Sequence, residues 1–177
     1  MVTITATKRT GCYFIVVTLL LPILFSISAQ SQDNSVPCDS IANRAFDFWL
    51  GQWKVESDDG KYLGGNAITR ENNCLLLEQW QSASGNRGTS INYYDPLQQQ
   101  WVQHWIDDSN IIHLSGNMEQ GSMVLAGTIF GRDSGNTYPL KGTWTLLPDS
   151  RVRQFFEIQK DGYWQPWFEG FYRKSQP

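Results

Sequence analysis

Gln100-Trp101-Val102-Gln103-His104-Trp105-Ile106-Asp107 decides how this chain is read, because its large side chains change character at every second position. A period of two belongs to an extended strand, whose successive side chains point to opposite faces, so Trp101, Gln103, Trp105 and Asp107 share one face and Val102, His104 and Ile106 the other. One of these faces must line an interior. If it is the tryptophan face, Gln103 is an amide held between two indoles, able to donate and accept hydrogen bonds to a partly polar ligand. The alternative is that the two indoles fill a core and Gln103 is satisfied by backbone or by another side chain.

The same alternation continues to both sides. It predicts strands over Gln52–Ser57, Asn66–Glu71, Cys74–Ser82, Thr89–Tyr94, Gln100–Asp107, Ile111–Met118, Ser122–Phe130, Leu140–Leu147, Arg151–Lys160 and Tyr163–Arg173. Turn chemistry separates them, as at Asp58-Asp59-Gly60, Ser84-Gly85-Asn86, Asp95-Pro96, Pro148-Asp149 and Asp161-Gly162. Connections this short make neighbours in sequence antiparallel neighbours in space. Closing the sheet removes the edges that such aromatic strands would otherwise expose. The expected fold is therefore all-β, an up-and-down antiparallel barrel of about ten strands, with a two-sheet sandwich as the alternative. Before the first strand, Asp39 or Ser40 is placed to cap a short helix with Ile41, Ala45 and Phe48 on one face, ended by Gly51 and plugging one end of the barrel.

Residues 1–29 have the layout of a secretory signal peptide: Lys8-Arg9, an apolar run from Tyr13 to Ile27, then Ser28-Ala29. The run is about 15 residues, short of the roughly 20 that span a bilayer. Residues 30–38 read as a polar, flexible leader and 39–174 as a single barrel domain. The expected location is periplasmic or secreted, with no stable membrane anchor after processing. Removal of Lys8 and Arg9 leaves 12 basic against 17 acidic residues, a balance that disfavours nucleic acid and anionic lipid as partners. In an oxidising compartment Cys38 and Cys74 form an even pair suited to a disulfide, two free buried thiols being the alternative.

Gly51-Gln52-Trp53 at the first strand with Arg173 on the last resembles the pattern of lipocalins and their calycin relatives. That resemblance implies a barrel whose closed end is capped by Trp53 with Arg173 stacked on it. The longer strings Phe46-Asp47-Phe48-Trp49-Leu50-Gly51-Gln52-Trp53, Asn92-Tyr93-Tyr94-Asp95-Pro96 and Trp101 to Asp107 resemble a family of exported bacterial lipocalin-like proteins classed as a domain of unknown function. More distantly the chain is similar to nitrobindin and fatty-acid-binding-protein-like barrels. Nitrobindins hold haem through a histidine near the C-terminal end, and no histidine follows His113 here, so no cofactor is expected.

With an aromatic content of 14%, the expected function is to hold a small, largely apolar or amphipathic molecule. The candidate ligand-binding residues are Trp80, Tyr93, Trp101, Gln103, Trp105, Trp144, Gln154 and Phe156. Glu78, Arg153 and Glu157 are candidates for a polar interior. A buried carboxylate among them needs a partner such as Arg153, or its pKa shifts and it protonates. A calycin-type enzyme using such interior groups is the second reading, though no residue is assigned a catalytic role. Nucleophile-elbow, metalloprotease, phosphate-loop and dinucleotide motifs are missing, and His104 and His113 lack a third metal ligand at a recognisable spacing. A third reading is a filled barrel that acts as a structural or protein-interaction domain through exposed aromatics such as Tyr163-Trp164.

Overall fold

In the computed structural model, residues 37–175 are described, together with Thr3 and Gly11. The expected signal peptide and most of the leader lie outside the described residues. Ten strands follow a short N-terminal segment: β1 (Gly51–Glu56), β2 (Tyr62–Asn72), β3 (Leu75–Ser82), β4 (Arg87–Asp95), β5 (Gln100–Asp107), β6 (Asn110–Glu119), β7 (Ser122–Gly131), β8 (Thr137–Leu146), β9 (Val152–Lys160) and β10 (Tyr163–Lys174). Each pairs antiparallel with the next, and β1 also pairs with β10 through the Trp53↔Lys174 to Glu56↔Phe171 register. The sheet is thus a closed up-and-down barrel, and the sandwich alternative is excluded.

Hairpin chemistry explains the order. Asp161 and Gly162, at φ of 52° and 81°, form the left-handed pair that a tight turn between β9 and β10 requires. Gln120 and Gly121, at 49° and 84°, do the same between β6 and β7. Strand β9 shows the alternation at its clearest, with Val152, Gln154, Phe156 and Ile158 buried and Arg153, Phe155 and Glu157 on the outer side.

The N-terminal segment departs from the expected helix. Ser40 does cap α1 (Ile41–Arg44), its hydroxyl oxygen accepting from the Asn43 amide at 3.3 Å, but α1 is a single turn. A 3₁₀ turn then covers Asp47–Trp49. Its tighter winding brings residues three apart to the same side, so Phe46 and Trp49 are the buried pair, while Ile41 is 93% exposed.

That pair plugs one barrel end. Phe46 stacks on Trp49 with centroids 5.0 Å apart and meets Trp101 and Trp144 edge-on at 5.5 and 5.4 Å. Trp101 Nε1 donates to the Ala42 carbonyl at 2.9 Å, and Trp53 Nε1 donates to the Trp49 carbonyl at 2.9 Å. A Cys38–Cys74 disulfide ties the segment to the start of β3.

The cation over Trp53 is not Arg173. Lys174 Nζ lies 4.0 Å from the Trp53 ring centroid and donates to the Leu50 carbonyl. Register is the reason: Trp53 stands opposite Lys174, whereas Arg173 stands opposite Lys54 on the outer face and reaches Glu56 at 3.7 Å.

Candidate functional site

Three odd-numbered strands run upward from the plug and repeat one vertical order on their inner faces. Strand β3 presents Leu76, Glu78 and Trp80; β5 presents Trp101, Gln103 and Trp105; β9 presents Val152, Gln154 and Phe156. The first member of each set belongs to the packed floor and the second to a polar belt. The third, an aromatic, belongs to the wall of a cavity of about 280 Å³.

Glycines shape that wall. Four inward positions, Gly64, Gly88, Gly142 and Gly170, lie beneath Trp80, Trp105, Phe156 and Phe168 respectively, so close that a Cβ at any of them would collide with the ring above it. The aromatic planes can therefore lie back against the backbone and leave the centre open. A register shift between Pro166 and Phe168 then allows the consecutive Trp167 and Phe168 both to line the cavity. At the rim, Asp107 Oδ2 accepts from Trp105 Nε1 at 2.9 Å, and Oδ1 accepts from the Ser109 and Asn110 amides at 2.7 and 2.6 Å.

The belt is a continuous hydrogen-bond network across six strands. Gln103 Nε2 donates to Asn92 Oδ1 at 2.9 Å, Asn92 Nδ2 to Ser90 Oγ at 2.8 Å, and Ser90 Oγ to Glu78 Oε2 at 2.6 Å. From the other side Asn66 Nδ2 donates to Glu78 Oε1 at 2.7 Å and to the Tyr172 hydroxyl at 3.4 Å. The Tyr172 hydroxyl itself donates to Gln154 Oε1. The string from Gln103 and the Asn66 amide both end on Glu78, while the Tyr172–Gln154 pair leads away from it; Glu78 is 3% exposed and forms no ion pair among the described residues.

Desolvation dominates the electrostatics there. Burial pushes the Glu78 carboxyl up to about 7, against the opposing effect of the hydrogen bonds from Ser90 and Asn66. Burial first, and then the nearby charge of Glu78, pushes the Tyr172 phenol well above its usual value. The belt thus contains a carboxyl that titrates near neutrality beside a phenol that stays neutral.

Of the candidate ligand-binding residues, Trp80, Gln103, Trp105, Gln154 and Phe156 line the cavity, as does Glu78. Trp101 and Trp144 instead belong to the floor, because Phe46 and Trp49 enter from below and occupy the space between them. Tyr93 is on the outside, stacked on His104 at 6.2 Å, since alternation turns Asn92 inward. Arg153 and Glu157 also face out, for the same reason that Gln154 faces in. Arg153 Nε pairs with Glu169 at 2.6 Å and Glu157 with Lys141 at 2.6 Å. Arg153 is therefore not the partner of Glu78, and protonation is the route by which this carboxyl meets its burial.

Sequence reasoning missed Asn66, Ser90, Asn92 and Tyr172. Each shares its strand parity with another buried residue, Asn66 with Ile68, Ser90 and Asn92 with Gly88, and Tyr172 with Gly170. Parity was the available signal, but their joining into one network depends on register. No protein-family model matches the chain, and no curated protein does.

Proposed function

We propose that this protein is an exported small-molecule-binding barrel whose cavity holds a compact, largely apolar or amphipathic ligand. The observation that carries the reading is the half-filled interior: aromatic packing closes one end, while above it a cavity of about 280 Å³, open at its mouth, has an aromatic wall and a polar belt. That volume falls at the lower edge of the roughly 300–1,000 Å³ of small-molecule pockets, favouring a compact ligand over a long chain. The Cys38–Cys74 disulfide supports export into an oxidising compartment. The residue strings that resemble lipocalin-like barrels support the same class of function. Native mass spectrometry of the protein purified from its exported compartment tests it: a reproducible non-covalent adduct is expected. A clean apo mass, with no change in tryptophan emission across a library of apolar metabolites, overturns the reading.

A second reading has one observation in its favour. A cavity-lining carboxyl that titrates near 7 suits general acid–base chemistry. Recovery of a chemically altered molecule after incubation with the adduct compound supports an enzyme, and its unchanged release counts against one.

A further inference from the structure

We propose that the ligand is a compact amphipathic amine, bound as the ammonium ion on Glu78 with its apolar body between Trp80, Trp105 and Phe156. This rests on the binding reading above and names the chemistry of that site.

The direction of the hydrogen bonds is the first argument. The donors of Ser90 and Asn92 are spent within the belt, as are one amide hydrogen of Gln103, the Asn66 amide and the Tyr172 hydroxyl. What remains around Glu78 itself is acceptor capacity, the free amide hydrogens of the belt being those of Gln154 and one of Gln103. A carboxylate offers about four lone-pair sites, and Glu78 uses two of them, on Asn66 and Ser90. Gln103 Oε1 has no hydrogen bond among the described residues, and Asn66 Oδ1, beside Glu78, is buried without a partner. An ammonium, with three donors and no acceptor, complements such a set. A carboxylate or phosphate ligand does not.

Charge is the second argument. The cavity lining holds Glu78, Asp107 and Asp108 against a single guanidinium, Arg87, and the three acidic groups lie on β3 and at the β5–β6 turn. A buried carboxylate without a counter-ion is costly, and a ligand cation supplies one. The aromatic wall adds cation–π attraction for the ammonium and apolar contact for the rest of the molecule.

The pairing also makes affinity depend on pH. Glu78 is packed against Asn66 on β2, Ser90 on β4 and Tyr172 on β10, and of these only Tyr172 titrates. It stays neutral throughout the range, whereas Arg87, Asp107 and Asp108 sit at the mouth. An alkylamine remains protonated below about pH 9, so the carboxyl is the group that changes. Binding weakens as Glu78 takes up a proton, by a limiting factor of about ten per pH unit below its titration.

The test compares three probes of similar shape, 2-phenylethylamine, 2-phenylethanol and phenylacetate, by calorimetry on the disulfide-intact protein at about pH 8. The amine is expected to bind at least about tenfold more tightly than the alcohol. Glu78→Gln should remove that preference while alcohol binding persists. Should the variant fail to fold, the wild-type series from about pH 8 to about pH 5 decides, with a progressive loss of amine affinity expected and a flat profile contradictory. Equal binding of amine and alcohol overturns the amine inference and leaves the binding reading intact, and tighter binding of phenylacetate does the same. Absence of binding by all three probes overturns the amine inference, while the native adduct measurement separately judges the binding reading.

Discussion

Replacing Glu78 by glutamine should flatten a specific part of the protein's pH–stability profile. In the unfolded chain this carboxyl titrates near 4.5, whereas burial in the barrel pushes it up to about 7. Between those values the folded state binds more protons than the unfolded state, so stability is fully present below the lower value and is lost as pH rises through the upper one. At roughly 1.4 kcal/mol per pH unit, the difference amounts to about 3 kcal/mol. Glutamine keeps the shape and still accepts from Asn66, but its amide nitrogen faces Ser90 Oγ. The serine hydroxyl must then turn, at a cost of about 1 kcal/mol that does not vary with pH. Urea denaturation of both proteins without ligand, at about pH 4.5 and about pH 8, isolates the effect, because subtracting one profile from the other cancels every other titrating group. The variant should gain about 3 kcal/mol on the wild type across that interval. Parallel profiles would refute the claim that an uncompensated carboxyl lies in the belt.

Three further outcomes are expected. Replacing Cys38 and Cys74 together by serine reopens a loop with a sequence separation of 36 and should cost about 4 kcal/mol on the chain-entropy account; unchanged thermal unfolding would show that the tether adds nothing to the plug. Gly88→Ala should drive the Trp105 indole into the cavity, lowering stability by roughly 1–3 kcal/mol and shifting tryptophan emission, and an unaltered spectrum would contradict the seating of that ring. On the outer wall, His104 and His113 approach with their Nδ1 atoms 2.5 Å apart, and burial, followed by the charge of His113, lowers the His104 pKa. The unfolded state then takes up a proton first as pH falls below about 6.5, so His104→Gln should abolish a loss of stability in that range, as chemical denaturation at stepped pH would show.

The layered interior ties these predictions together. Strands β3, β5 and β9 each carry an apolar floor residue, a polar belt residue and an aromatic wall residue at consecutive inward positions, so one strand samples the packed end, the network and the cavity within a few residues. The floor supplies stability through aromatic burial, with Phe46, Trp49, Trp101 and Trp144 interlocked. The belt spends some of it to hold a carboxyl away from water.

Much of this was legible in the order of residues alone. A strict period of two, interrupted by turn residues at short intervals, determined that the chain forms antiparallel neighbours in sequence order, and β5 has the bounds read from its alternation. Alternation also grouped Gln154 with Phe156 and Glu78 with Trp80, because a pleated strand leaves side chains only two faces. Which face points inward was beyond that reading, since a period of two is symmetric until the sheet closes. Closure of β1 on β10 set the parity, placing Tyr93, Arg153 and Glu157 outside and giving Trp53 to Lys174 in place of Arg173. The N-terminal segment divided the aromatics between floor and cavity by inserting Phe46 and Trp49 against Trp101 and Trp144. The convergence of donors on Glu78 required β2 to β5 in fixed register, a relation between residues distant in the chain that only the tertiary structure could decide.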